Sequence, residues 1–428
     1  MKKKFCIMIH YRNPFIYNAG SENYIISQIK HLDSIGVDTL LLFPVIKKGI
    51  VTLKGWGVLY GLDFWGIKSV ESVKKYIIKM CKNAECGGVF IHSLIGCELT
   101  ELKKIICIGK PIILYVHDYS SCCKQYNLLK NDENYCGNAL LKEEKCNSCR
   151  YYNISKKRKK QFRDFFKQIE DFTVIAPSKM SAKLWGDAYP EYRDKIVIIL
   201  HQKLVDTYYG NNEELSEEDN VKVAFVGNGI KIKGWDIWKN VIDKVLDKKI
   251  VLYHFGKANI QYKNVKNISV SIQKDGPDAM IKALRNNKID IAILFSGWPE
   301  TYSYTYYECL ASNCFIITSP LSGNIAYEVE NRKNGILIDY NENALKNVLN
   351  NSQELKCFIN KFRTNSHYSP GYLIPNYDYE NYLNFDSVKI SFMETSLDLI
   401  DLINASICNI LYSVRYKHEL IEMRKSKL

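Results

Sequence analysis

The stretch IDIAILFSGWPETYSYTYYECLASN, residues 289–313, decides the fold. IDIAILFS is a short, continuous apolar run, the pattern of a strand covered on both faces. Gly297 and Pro299 break it. Ser303 is a helix-capping residue type, and the following residues are expected to run as a helix to about Ser312. Strand, loop and helix make one βα unit. Glu300 then lies in the loop at the strand's carboxyl end, and Glu308 lies one to two turns into the helix. This separation argues against one acid/base pair. It fits two roles, toward different parts of one ligand, with a helix N-terminus between them that favours phosphate. The spacing equally fits an ordinary helix with one loop glutamate and one surface glutamate.

The same unit recurs in both directions. FCIMIHY, VDTLLLFPV, GVFIHSL, PIILYV, FTVIAPS and IVIILH precede it, mostly separated by helical patterns. VKVAFVG, IVLYHFG, CFIITS and GILID surround it. Residues 207–220, TYYGNNEELSEEDN, are acidic and lack an apolar period. The expected organisation is an N-terminal domain over 1–206, a linker over 207–220, a second domain over 221–385 and a helical tail over 386–428. In the tail, Ile400, Ile403, Ile407, Ile410 and Val414 recur at helical spacing. The fold class expected is α/β, with two doubly wound sheets and a ligand cleft at the strands' carboxyl ends.

A chain of 428 residues suits two or three domains. No run reaches the roughly 18 apolar residues of a spanning helix. MKKKFCIMIHYRNPF reads as a first strand rather than a signal peptide, so a cytoplasmic protein with reduced cysteines is expected. The net charge of +13 implies an anionic partner, unless it reflects a lysine-rich proteome. Among such partners are a membrane surface, a nucleic acid and a phosphorylated small molecule.

Several clusters carry candidate chemistry. In VKVAFVGNGIKIKGWD, Gly227 and Gly229 let backbone approach a ligand, and Lys233 sits before a helix where it reaches a phosphate; a plain turn with a solvated lysine has the same pattern. His117 of HDY follows a strand, where it either serves a sugar hydroxyl or a proton transfer, or caps the strand. Gly20 and Ser21 open a helix, either as an anion site or with Ser21 as a simple N-cap. Cys123, Cys136, Cys146 and Cys149 supply four thiolates, with Cys123 preferred over Cys122. They suit a structural zinc or are free cysteines on an inserted loop. KKRKK at 156–160 is either a lipid- or nucleic-acid-binding run or a solvated helix face, and no aromatic-interleaved nucleic-acid motif accompanies it.

Taken in order, AGSENY (19–24), HDY (117–119), the glycine–lysine turn from Gly227 to Gly234, the Glu300/Glu308 pair and KNGILI (333–338) resemble glycosyltransferase family 4 over roughly residues 1–350. WPETYSYT, and HDY followed by spaced cysteines, are similar to a subgroup of bacterial surface-polysaccharide transferases. The resemblance implies the two-domain GT-B fold with a last helix crossing back to the first domain. It also implies retaining transfer from a nucleotide diphosphate-sugar to a growing, lipid-linked glycan at the inner face of the membrane.

In this resemblance Glu300 contacts the donor sugar near the reacting carbon and Glu308 holds the ribose hydroxyls. Lys233, with backbone N–H groups of Ser303 and Tyr304, neutralises the diphosphate. His117 contacts the sugar, and Gly20 lines the diphosphate or acceptor side. Asn228 stands where the family often has arginine, and Tyr327 where it usually has glutamate. No Asp-x-Asp occurs, so catalysis without a metal cofactor is expected, as is no nucleic-acid partner. Another GT-B enzyme, an epimerase or phosphorylase, and a catalytically silent glycan- or transferase-binding partner share these features.

Overall fold

The computed structural model describes residues 2–17, 19–47, 52–137, 142–169, 171–206, 214–257, 262–364, 371–386 and 399–412. Parts of the expected linker (207–213) and tail (387–398 and 413–428) lie outside the described residues.

The first sheet takes β1 (Lys3–Ile9), β2 (Val37–Lys47), β3 (Leu53–Tyr60), β4 (Asp63–Lys68), β5 (Ala84–Ile91) and β6 (Ile112–Tyr115). A small hairpin of β7 (Leu129–Lys130) and β8 (Asn134–Tyr135) interrupts it, before β9 (Phe172–Ala176) and β10 (Ile196–Ile198) complete it. The eight strands run in the order β10-β9-β6-β5-β1-β2-β3-β4. All pairs are parallel except β2–β3 and β3–β4. This antiparallel edge was not signalled by the apolar runs.

The chain then passes through β11 (Gln202–Asp206) to β12 (Val221–Val226), β13 (Ile250–Phe255), β14 (Val265–Ile268), β15 (Ile291–Ile293), β16 (Phe315–Thr318) and β17 (Gly335–Leu337). Strands β12 to β17 form a six-stranded parallel sheet, ordered β14-β13-β12-β15-β16-β17. A last strand, β18 (Gly371–Pro375), returns to pair antiparallel with β11.

The continuous apolar runs have a physical reason: each sheet is covered on both faces. In β1, Phe5, Ile7 and Ile9 face one core, and Cys6 and Met8 the other. In β15, Ile291 and Ile293 face one side and Ala292 the other, all fully buried. Each such isoleucine contributes about 1.5–3 kcal/mol of burial, so strand register is strongly fixed.

The helix over residues 399–412 lies back on the first sheet. Asp401 pairs with Lys54 of β3 at 3.6 Å, and Asn409 accepts from the Ile67 N–H of β4 at 2.8 Å. Gly66 makes room for it: a Cβ there would lie 2.6 Å from the Asn409 side-chain oxygen. None of the described helices is long and apolar enough to cross a membrane.

Candidate active site

Glu300 lies in the loop leaving β15, and backbone contacts fix its place. Gly323 has φ of +61°, and a Cβ there would sit 2.5 Å from the Glu300 nitrogen. Only glycine lets the loop after β16 press so closely on the Glu300 backbone. That contact is sealed by Asn324 N–H donating to the Glu300 carbonyl at 3.0 Å.

Lys233 is delivered to the same point. Gly234 has φ of +83°, and a Cβ there would meet the Phe295 carbonyl at 2.2 Å. Gly297 N–H donates to the Ile232 carbonyl at 2.9 Å, tying the two loops together. The Lys233 ammonium consequently reaches the Glu300 carboxylate at 2.6 Å. Ser296 hydroxyl donates a short hydrogen bond to the same carboxylate oxygen. The glutamate is almost fully buried, whereas the lysine side chain is one-third exposed.

The helix Tyr304–Ala311 begins beside this pair, with Ser303 as its N-cap as the sequence indicates. The Ser303 hydroxyl accepts from Tyr306 N–H at 3.3 Å. The N–H groups of Ser303 and Tyr304 find no acceptor among the described residues, as the first donors of a helix do. Glu308 sits deeper in this helix. Burial pushes its carboxyl up to about 7, with the charge of Asp278 adding to the effect.

The first domain closes the other side. Thr301 hydroxyl donates to the His117 carbonyl at 3.0 Å, linking the loop of Glu300 to the loop of His117. A Cβ on Gly20 would contact the Tyr304 ring at 3.5 Å. The structure therefore brings the elements of Gly20, His117, Lys233, Glu300, Ser303 and Tyr304 together where the two sheets' loops meet. Gly20 begins its helix with Ala19 as N-cap and no side-chain cap, so Ser21 is not the N-cap; its hydroxyl donates to Glu22 at 2.9 Å.

His117 belongs to a cluster the sequence reading missed. His10, His92, His117 and His201 all lie just beyond strand ends, of β1, β5, β6 and β10. His92 Nδ1 lies 3.1 Å from His117 Nε2, and the His117 and His201 rings are 5.1 Å apart. Burial lowers His117 to about 3, with His10 nearby adding to this, so the imidazole is neutral. His92 and His201 are also lowered, first by burial and then by neighbouring histidines. Beside them Glu22 is fully buried and accepts from Arg12 at 2.6 Å, with His10 at 3.2 Å. Burial alone would raise the Glu22 carboxyl, but hydrogen bonds and charge from His10 and Arg12 outweigh it and hold it well below the usual range. The only sequence signal for this cluster was a histidine placed directly after several apolar runs.

Gly227 (φ +128°) and Asn228 directly follow β12, and Asn228 accepts from Lys257 N–H at 3.2 Å, just past the end of β13. Tyr327 lies on the helix Asn324–Arg332, with the Lys179 ammonium 5.8 Å from its ring centre, so it faces the first domain. The basic run is not one uniform face: Arg158 turns in to the carbonyls of Ser120 and Leu94 at 3.1 and 3.3 Å, while Lys156, Lys157 and Lys160 are exposed.

Cys123, Cys136, Cys146 and Cys149 do line one cavity of about 20 Å³, and Cys122 is buried in the core. However, among the described residues no group of three or more Cys, His, Asp or Glu side chains is arranged to hold a metal ion, so the expected zinc centre gains no support. None of the described cysteines is paired in a disulfide.

No family model matches the chain, and no curated protein does. Among solved structures it is similar to sucrose-phosphate synthase from Thermosynechococcus elongatus, with TM-score 0.52 and 11% identity over 85% of this chain and 92% of that chain. It also matches a glycosyltransferase from Rickettsia africae, with TM-score 0.49 and 13% identity over 98% and 99% of the two chains. A third match is the pneumococcal O-GlcNAc transferase GtfA in complex with UDP and GlcNAc, with TM-score 0.49 and 9% identity over 99% and 98%. At these identities the likeness is one of fold: two Rossmann-like domains around a cleft, the GT-B arrangement.

Proposed function

We propose that this GT-B chain is a retaining glycosyltransferase that moves a sugar from a nucleotide diphosphate donor to a growing, lipid-linked bacterial surface glycan. The observation that carries the reading is the Lys233–Glu300 contact of 2.6 Å, set beside the open N-terminus of the helix Tyr304–Ala311. Such an arrangement suits a departing diphosphate. As the anomeric carbon–oxygen bond breaks, the diphosphate gains negative charge. Lys233 and the N–H groups of Ser303 and Tyr304 are fixed donors for it before the reaction starts, which is how preorganised sites lower a barrier.

In this reading Glu300 faces the sugar near its reacting carbon, and Glu308 receives the ribose hydroxyls. His117, held neutral, donates to or accepts from a sugar hydroxyl without bringing a charge. Gly20, packed close to the Tyr304 ring, lines the diphosphate or acceptor side. Gly227 and Asn228 border the donor from the β12 end. The absence of an Asp-x-Asp sequence supports lysine and helix in the role a divalent ion plays elsewhere. The net charge of +13 supports work at the anionic inner face of a cell membrane.

A thermal-shift screen over nucleoside diphosphates tests the proposal. A ligand present at 100 times its Kd adds about 2.7 kcal/mol of stability. At least one base is expected to raise the melting temperature. A flat response to every nucleoside diphosphate, with folded protein, overturns the reading.

A further inference from the structure

We propose that the helix over residues 399–412 is a docking element for an anionic lipid bilayer. The helix is amphipathic in the reverse of the usual sense. A surface helix normally turns its apolar stripe to the core. Here the inward positions include Asp401, which pairs with Lys54, and Asn409, which accepts from Ile67 N–H, alongside the small Ala405 and Cys408. The outward positions carry Leu399, Leu402, Ile403, Ile407, Ile410 and Leu411, with Ile410 75% and Leu399 66% exposed.

A stripe this apolar, about 20 Å long over residues 399–412, marks a surface that meets another apolar phase. Charge selects the occupant. In the sequence, residues 413–428 carry five Lys or Arg and two Asp or Glu, and the chain as a whole has a net charge of +13. An apolar stripe followed by basic sequence fits the interface of an anionic bilayer, where leucine and isoleucine enter the acyl boundary and basic groups meet the headgroups. A second copy of this chain would bring the same positive charge against itself.

This inference deepens the membrane placement proposed above and is independent of the transfer chemistry. The test is sedimentation of the full chain with vesicles of phosphatidylcholine containing phosphatidylglycerol, and with phosphatidylcholine alone, for the wild type and the double variant Ile403→Asp/Ile410→Asp. Both side chains are exposed, so the variant is expected to melt as the wild type does. The wild type is expected to bind the anionic vesicles, more weakly at high salt. The double variant should bind at least about tenfold more weakly. Equal binding by the variant refutes the helix as the docking element while leaving membrane placement intact. No binding by the wild type refutes both. A wild-type dimer that the variant dissociates, without vesicle binding, assigns the face to a second copy and overturns the proposal.

Discussion

Replacing Glu308 by Gln isolates a titration that the buried helix imposes. Burial raises this carboxyl from its ordinary 4.5 to about 7. The folded state therefore holds the proton more tightly than the unfolded state does. As pH rises past 4.5 the unfolded chain releases its proton first, so stability falls; the loss is complete once the folded carboxyl ionises near 7. At 1.36 kcal/mol per pH unit, the interval corresponds to about 3 kcal/mol, most of it between pH 5 and 8. Glutamine keeps the shape and has no such loss. Urea unfolding of both proteins, followed by tryptophan fluorescence from pH 5 to 8, gives the difference directly. Relative to wild type, Glu308→Gln is expected to gain about 2–3 kcal/mol across that range. Using the difference cancels titrations elsewhere in the chain. A difference that stays constant with pH refutes the argument that Glu308 is buried and proton-bound near neutrality.

Lys233→Ala is expected to lower kcat about 10²- to 10³-fold, the cost of losing one fixed donor to developing charge, and to weaken nucleoside diphosphate binding by calorimetry. Gly323→Ala should cost on the order of 1–3 kcal/mol in thermal unfolding. Its φ of +61° disfavours a side chain, and the Cβ would meet the Glu300 nitrogen at 2.5 Å.

Much of the scaffold was legible because parallel strands covered on both faces leave a direct trace. IDIAILFS, VKVAFVG and FCIMIHY each became central strands. The Ser303 cap was legible because its chemistry is local. The antiparallel edge was hidden because β3 and β4 contain Gly55, Gly57 and Gly66, which weaken a strand signal. Those glycines answer tertiary needs: a Cβ on Gly57 would strike the Phe43 ring at 2.2 Å.

The candidate site was only half legible. Glu300 and Lys233 sit in recognisable strand–turn–helix units, but their ion pair depends on backbone packing at Gly234 and Gly323. His10, His92 and His201 are far apart in sequence and meet only through sheet order. The isoleucine period near the C-terminus marked a helix, yet not the face it turns outward. The cysteine spacing brought four thiols to one cavity, but proximity in sequence does not fix ligand geometry.

The most direct test of the central claim is turnover of nucleotide diphosphate-sugars with a glycan acceptor by wild type and Glu300→Ala, measured as nucleoside diphosphate release alongside the melting temperature. The wild type is expected to turn over at least one donor, and the folded variant is expected to lose that turnover. Near-wild-type release by folded Glu300→Ala would contradict the account.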